Sequence, residues 1–347
     1  MEIRSVALIG AGAVGAYFIQ GFMDCPEVDF HVIAEGGRLE RLKDEGLVIN
    51  GRVCRPSVKT PEELKAAYPG GPDLLIVSVK YHGLKGSLDA IRTITGPDTV
   101  VLSVLNGIDS EEIIGGVIDP AQIVYSLMRI SSERVRRAIS FVPETTPGVY
   151  IGEKGCSERT PRIRAIEEVM ALAGLGCHFQ EDIIYDQWEK YLANIEFNLP
   201  QAILGVGYGA YFDSEHVAFI RHRLEAEVCA VAEANGVHLY PERVDWSGIV
   251  KNTARFSTLQ DLDAGRHTEI EMFLGVLIRK AAEAGIAAVQ ENSEQLAFAN
   301  YTRTGLGFIN FNGEREIMNE LEVRQAIAYL IDKDEFNACM SYARREG

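Results

Sequence analysis

The chain has 347 residues, 47% of them hydrophobic and 24% charged, which are the proportions of a globular protein; it exceeds the roughly 250–300 residues at which a single core stops growing, so two domains are expected. A formal net charge of −16 argues against nucleic acid and anionic membrane as partners, because both demand basic surface. No run approaches the ~20 apolar residues of a membrane span. The start Met1-Glu2-Ile3-Arg4 leads into a strand rather than a secretory signal, and the six cysteines and seven histidines have no metal-ligand spacing. The expectation is a cytoplasmic protein without a metal.

The first predicted strand, Val6-Ala7-Leu8-Ile9, runs directly into Gly10-Ala11-Gly12-Ala13-Val14-Gly15 and a helical stretch over 16–23. In that strand, turn, helix setting each glycine of a Gly-x-Gly-x-x-Gly has a task. Gly10 takes the tight turn, Gly12 lets the backbone approach a pyrophosphate, and Gly15 lets the helix pack on the strand, while the free N–H groups of the helix start face the phosphates. Gly10, Gly12, Ala13, Val14 and Gly15 are therefore the candidate dinucleotide-binding residues; an ordinary strand-to-helix turn is the alternative.

The second predicted strand, 29–34, ends at Glu35, roughly 20 residues past the last glycine, where an acid would bond the ribose hydroxyls of NAD. Three residues on, Arg38 offers a guanidinium to a 2′-phosphate and so favours NADP. A solvated pair at a helix start is the reading without a ligand.

Near-continuous apolar runs at 73–80 and 99–105, with a helical segment over 83–95 between them, are what a parallel sheet covered on both faces requires. The fold class is thus α/β, a doubly wound Rossmann-type sheet whose ligands belong at the carboxyl ends of its strands, here Lys80 and Asn106-Gly107. Residues 135–180 change to short strands and turns around a helix over 160–173, a texture suited to antiparallel additions to the sheet. Past residue 184 helical patterns dominate, over 188–204, 214–235, 241–252 and 268–284, so a second, all-helical domain follows.

Lys190, Asn194 and Asn198 stand at i, i+4 and i+8 of one predicted helix and share a face. Asparagine is a mediocre helix former, so this alignment beside Ile195, Phe197 and Leu199 reads as a polar stripe serving a site, against the alternative of an exposed polar face. Downstream, Ser257-Thr258-Leu259-Gln260-Asp261 leads to His267-Thr268-Glu269-Ile270-Glu271. Glu269 sits where acids commonly complement a helix dipole.

Taken together, the Gly10–Gly15 fingerprint, Ser78-Val79-Lys80, Leu105-Asn106-Gly107, the Lys190/Asn194/Asn198 helix and the Ser257 and Glu269 segments resemble the ketopantoate reductases, over roughly residues 5–300. The resemblance implies a Rossmann domain followed by a helical domain like that of 6-phosphogluconate dehydrogenase, with boundaries at 1–184 and 185–300. It also implies NADPH-dependent reduction of 2-dehydropantoate to (R)-pantoate, a step toward pantothenate and coenzyme A. In that resemblance Lys190 is the general acid and Glu269 holds substrate. Asn194, Asn198 and Ser257 line the substrate site, Lys80 and Asn106 lie at the nicotinamide side, and Asn106 also meets substrate. A homodimer through the helical half follows from the resemblance alone.

Three features depart from the family pattern. Glu35 stands where many members carry arginine, which keeps NAD open as the cofactor. Pro200 follows Asn198 by two residues rather than one, so the helix is expected to end or kink differently. Residues 301–347 form an extension with two predicted helices, 317–330 and 333–345, and no assigned role. The alternatives to the ketopantoate reaction are reduction of another 2-keto acid on the same fold and a nucleotide-binding sensor without turnover.

Overall fold

The computed structural model describes residues 1–135, 138–240 and 250–286, and the chain divides into two compact units, Met1–Tyr191 and Leu192–Gly347. The strands of the first unit are β1 (Ser5–Ile9), β2 (Asp29–Ile33), β3 (Leu47–Ile49), β4 (Arg52–Cys54), β5 (Ser57–Lys59), β6 (Leu74–Val77), β7 (Val100–Ser103), β8 (Ile123–Arg129), β9 (Ser132–Val135), β10 (Ala138–Phe141), β11 (Gly148–Gly152) and β12 (Cys177–Phe179). Its helices are α1 (Ala13–Met23), α2 (Gly36–Asp44), α3 (Pro61–Ala67), α4 (Tyr81–Ile94), α5 (Ser110–Gly115) and α6 (Pro161–Leu172).

Eight strands form the main sheet in the order β12-β11-β8-β7-β6-β1-β2-β5. From β8 to β5 every pairing is parallel, as crossover helices demand. The apolar runs explain why both faces are covered. Successive side chains of a strand point to opposite faces, and here Val6, Leu8, Leu74, Ile76 and Leu102 join Phe18 and Ile166 on one side, while Ala7, Ile9, Leu75, Val77 and Val101 join Leu84 and Ile91 on the other. This is the doubly wound Rossmann-type sheet read from the sequence.

The antiparallel addition expected within 135–180 is present in part: β11 runs antiparallel to β8, and β12 parallel to β11. The rest of that segment goes elsewhere. β10 and β9 belong to a second, four-stranded sheet of order β4-β3-β10-β9, whose Leu47, Ile49, Cys54, Ile139 and Phe141 extend the core on the α1 side. Strand 2 is also one residue shorter than expected and stops at Ile33, since Glu35 already serves as the N-cap of α2.

One long helix, α7 (Ile183–Leu204), contains Lys190, Asn194 and Asn198 and carries the chain from the first unit into the second. It ends at Leu204, as the helical pattern over 188–204 predicts, with Pro200 inside it. The described elements of the second unit are helices, namely the remainder of α7, α8 (Ala210–Asp213), α9 (Glu215–Ala234), α10 (Ser257–Asp263) and α11 (Val276–Glu283). Phe197, Tyr208, Tyr211 and Val217 form a buried aromatic cluster there.

The helix expected over 268–284 has a different start. Glu271–Gly275 form a wider π-type turn before α11 begins. The helix expected over 241–252 lies outside the described residues up to 249, and 250–252 are not helical. The two helices expected within 301–347 lie outside the described residues altogether. Among the described residues no helix is long and apolar enough to cross a membrane.

Candidate active site

The glycine loop is shaped by contacts that only glycine permits at two of its three positions. Gly10 has φ +106°, and a Cβ there would stand 2.6 Å from the Ser78 carbonyl carbon. At Gly15 a Cβ would lie 1.9 Å from the Gly10 carbonyl oxygen, so the first turn of α1 can press on the loop only without a side chain. Gly12 is different: a Cβ would meet nothing within 4 Å. It is the N-cap of α1, with no side chain capping the helix start. Backbone N–H groups left by an uncapped helix start beside open space are of a kind that could hold an anion such as a pyrophosphate. Ala13 and Val14 form the first turn, and the Ala16 amide donates to Gly12 O at 2.9 Å. The Ser78 hydroxyl holds the loop by donating to Gly10 O at 2.6 Å.

Glu35 and Arg38 are both exposed, Glu35 as N-cap and Arg38 in the first turn of α2. Gly36, between them, takes φ +53°. Lys80 is exposed as the N-cap of α4, directly past the end of β6. Because β1, β6, β7 and β8 are parallel neighbours, the glycine loop, Lys80 and Asn106 all follow carboxyl ends of strands on one edge of the sheet.

Lys190 joins that edge. Its Nζ donates to Asn106 Oδ1 at 2.8 Å and to the Met128 carbonyl at 2.7 Å. The sheet makes room for this. β7 and β8 pair only as far as Val101–Ile123 and Leu102–Val124, whereas β8 pairs with β11 through Arg129. Carbonyls of a strand alternate between its two edges, so those of Ser126 and Met128, beyond the last β7 pairing, are open to side chains of α7. Gln187 takes the first, its Nε2 donating to Ser126 O at 2.8 Å, and Lys190 takes the second. Gln187 also donates to Glu111 Oε1 at 2.7 Å, and Ser110 Oγ donates to Glu111 Oε2 at 2.8 Å. Complete burial pushes the Glu111 carboxyl above its ordinary range. Sequence reasoning passed over Glu111, Gln187 and the Met128 carbonyl. The available signal was spacing, since Gln187 precedes Lys190 by three residues and shares its helix face.

In the second unit the structure brings three of the candidates together. Asn198 is buried, and its Nδ2 donates to Asn194 Oδ1 and to Ser257 Oγ, both at 3.4 Å. Asn194 Nδ2 is buried with no hydrogen-bond partner among the described residues. A buried amide donor without a partner costs free energy unless a ligand completes it. Ser257 opens α10 and is exposed. Glu269 is half-buried two residues before the π-type turn, and its carbonyl accepts from the Met272 and Phe273 amides at 3.0 and 3.2 Å. Such turns recur at functional sites.

Comparison with known proteins matches one family over two stretches of the chain. The family model described as "Ketopantoate reductase PanE/ApbA" matches residues 6–153, and "Ketopantoate reductase PanE/ApbA C terminal" matches residues 182–290. Among curated proteins, the 2-dehydropantoate 2-reductase of Mesorhizobium japonicum is 26% identical over 298 residues, covering 78% of this chain and 90% of its own. Among solved structures, a PanE/ApbA family ketopantoate reductase from Ralstonia eutropha shares the fold with TM-score 0.69 at 22% identity, covering 82% of this chain and 93% of its own. D-mandelate dehydrogenase bound to NADH and anilino(oxo)acetate shares it equally, with TM-score 0.69, 22% identity and the same coverage. With the two family models together spanning most of the sequence, the chain belongs to the ketopantoate reductase family.

Proposed function

We propose that the protein reduces 2-dehydropantoate to (R)-pantoate with NADPH, and that Lys190 is the general acid. The observation that carries this reading is the Lys190 ammonium, held by Asn106 Oδ1 and Met128 O at the carboxyl edge of the sheet that bears the glycine loop. The open space at Gly12 and the uncapped start of α1 fit a dinucleotide. The backbone of Gly10, Gly12, Ala13, Val14 and Gly15 would hold its pyrophosphate, Glu35 and Arg38 its adenosine ribose, and Lys80 and Asn106 its nicotinamide end. When bound, the reduced nicotinamide supplies a hydride to the keto carbon.

The chain's own residues do the rest. As the carbonyl bond opens, negative charge develops on oxygen; the Lys190 ammonium stabilises that charge and gives the oxygen a proton, which completes the alcohol. Asn194 Nδ2, a buried donor without a partner among the described residues, bonds a substrate oxygen. Asn198 orients Asn194 and Ser257 through its two hydrogen bonds, and the Ser257 hydroxyl donates to the substrate carboxylate. Glu269 accepts from a substrate hydroxyl, so an analogue lacking that hydroxyl leaves the carboxylate unsatisfied and is rejected.

One observation favours a second reading, the reduction of another 2-keto acid with NADH. Glu35 stands at the end of β2, where a carboxylate repels a 2′-phosphate and accepts from ribose hydroxyls. A single assay separates the readings: absorbance loss of NADPH and of NADH, each with 2-dehydropantoate and a panel of 2-keto acids. The proposal expects oxidation of NADPH with 2-dehydropantoate, and a loss of about 10²- to 10⁴-fold in turnover for Lys190→Ala with cofactor affinity unchanged. Preference for NADH and a different acid establishes the second reading. Cofactor binding without oxidation by any acid makes the protein a nucleotide sensor.

A further inference from the structure

We infer that Gln187, held by the buried carboxyl of Glu111, is a positioning residue that sets where the Lys190 amine stands. The inference rests on the reading of Lys190 as the general acid and deepens it.

The network lies within the first unit. Glu111, Gln187, Ser103, Ser110 and Ser126 are all at most 4% exposed. Gln187 Nε2 donates to Glu111 Oε1 at 2.7 Å and to Ser126 O at 2.8 Å. Ser110 Oγ donates to Glu111 Oε2 at 2.8 Å and lies 2.7 Å from Ser103 Oγ, and the Ser126 hydroxyl donates to Ser103 O. The ends of β7 and β8, the start of α5 and the first turns of α7 are thereby joined through side chains rather than through a strand ladder.

The geometry links this network to Lys190 twice. Along α7, Gln187 and Lys190 are three residues apart and project from one face. Along β8, their acceptors Ser126 O and Met128 O are two residues apart and leave the same edge of the strand. Two side chains at helical spacing thus engage two carbonyls at strand spacing, and the pair of contacts fixes both the rotation of α7 and its height along β8. A lone lysine could reach Met128 O from several rotations of the helix, because its four-carbon stem is flexible. Gln187 is short, donates to two fixed acceptors and admits one rotation. Asn106 is set from the other side, just ahead of α5, whose start carries Ser110 and Glu111. The same buried carboxyl therefore anchors the elements that carry both the amine and its amide partner.

The test is a double-mutant cycle in the full-length protein, read as kcat and KM for 2-dehydropantoate with NADPH, and as cofactor affinity. Gln187→Met keeps the length and removes both hydrogen bonds. It is expected to lower kcat about 10- to 100-fold, the cost of misplacing a reacting group by around 1 Å, with KM and cofactor affinity within about twofold. Added to Lys190→Ala, the same change is expected to cost nothing further, because a residue acting through Lys190 loses its effect when the amine is gone. Equal losses in both backgrounds, or unchanged kcat in Gln187→Met, overturn the inference. Should Gln187→Met fail to fold, Gln187→Asn, which keeps the amide but cannot span both acceptors, takes its place in the cycle with the same outcomes. Glu111→Gln retains an acceptor for Gln187 and is expected to keep kcat within about threefold, whereas Glu111→Leu is expected to match Gln187→Met; a loss as large in Glu111→Gln as in Glu111→Leu assigns the anchoring to charge and overturns the inference. Normal turnover in Lys190→Ala alone would instead refute the general acid itself, a separate result.

Discussion

At the scale of single residues, the fingerprint glycines divide into two kinds that a sequence pattern does not separate. Gly15 is sterically required, with the Gly10 carbonyl oxygen 1.9 Å and Ser78 Oγ 2.9 Å from where its Cβ would be. Gly12 has empty space and ordinary backbone angles, φ −93° and ψ −161°. Gly15→Ala is therefore expected to destabilise the fold by at least the ~1–3 kcal/mol typical of overpacking. Gly12→Ala is expected to cost no more than about 1 kcal/mol, the difference between glycine and alanine at an N-cap, while weakening nicotinamide dinucleotide binding by tenfold or more, which is about 1.4 kcal/mol. Thermal melts and cofactor titrations of the two variants check this. Equal loss of stability in both would mean that Gly12 serves packing rather than a ligand. Legibility at this scale follows chemistry that is local. Gly10, Gly12 and Gly15 sit in one short run, and Lys190, Asn194 and Asn198 at one helical spacing. Glu111 and Gln187 are 76 residues apart, and only the splay between β7 and β8 brings them together.

At the scale of elements, the parallel strands were legible because burial on both faces leaves continuous apolar runs. The second sheet was not read, although part of its signal was present. Leu47-Val48-Ile49-Asn50-Gly51-Arg52-Val53-Cys54 is an Asn-Gly hairpin, and Asn50 and Gly51 take φ +49° and +80°, the left-handed pair such a turn requires. The other half of that sheet, β9 and β10, pairs with it across some 90 residues, which no local pattern reports. Pro200 lies inside the helix that the pattern over 188–204 predicts. Proline removes one backbone donor, but tertiary contacts hold the last turns of α7: Gln201 donates to Ala254 O at 3.0 Å and accepts from the Phe256 amide at 2.8 Å, and the Tyr211 hydroxyl donates to Phe197 O. The same helix buries Glu196 against Arg221 of α9, with Oε2 3.1 Å from Nε, and Glu225 shares the guanidinium at 3.7 Å. Burial pushes the Glu196 carboxyl up to about 7 in spite of Arg221, which pulls it down, and Glu225 adds to the rise. Between its ordinary value near 4.5 and 7 the folded state then holds a proton that the unfolded state has released. Stability therefore falls as pH rises through that window, by at most about 1.4 kcal/mol per pH unit, and the loss is complete above it. Glu196→Gln, which fixes the neutral form, is expected to match the parent protein below that window, near pH 4, and to exceed it in stability at pH 8 in urea melts. A variant less stable than the parent at pH 8 would show instead that the Glu196–Arg221 ion pair is net stabilising.

At the scale of the whole molecule, the dominant number is the net charge of −16, and it acts on the proposed reaction through range. 2-Dehydropantoate and NADPH are both anions, so the summed field of the chain opposes their approach, whereas Lys190, Lys80 and Arg38, in the roles proposed for them, would attract at short distance. These two effects respond differently to salt. The Debye length falls from about 30 Å at 0.01 M to about 8 Å at 0.15 M ionic strength, which removes repulsion from charges spread over the surface long before it weakens a cation in contact with its ligand. The KM for 2-dehydropantoate is therefore expected to fall between 0.01 and 0.15 M salt, by up to about tenfold given the usual size of steering effects, and to rise again toward 1 M, where a ~3 Å screening length reaches the contacts themselves. Steady-state kinetics across that series, with a neutral salt and saturating cofactor, gives the curve. A KM that rises from the lowest salt onward would mean that local cations dominate the field even at long range, and that the acidic surface is turned away from the path the substrate takes.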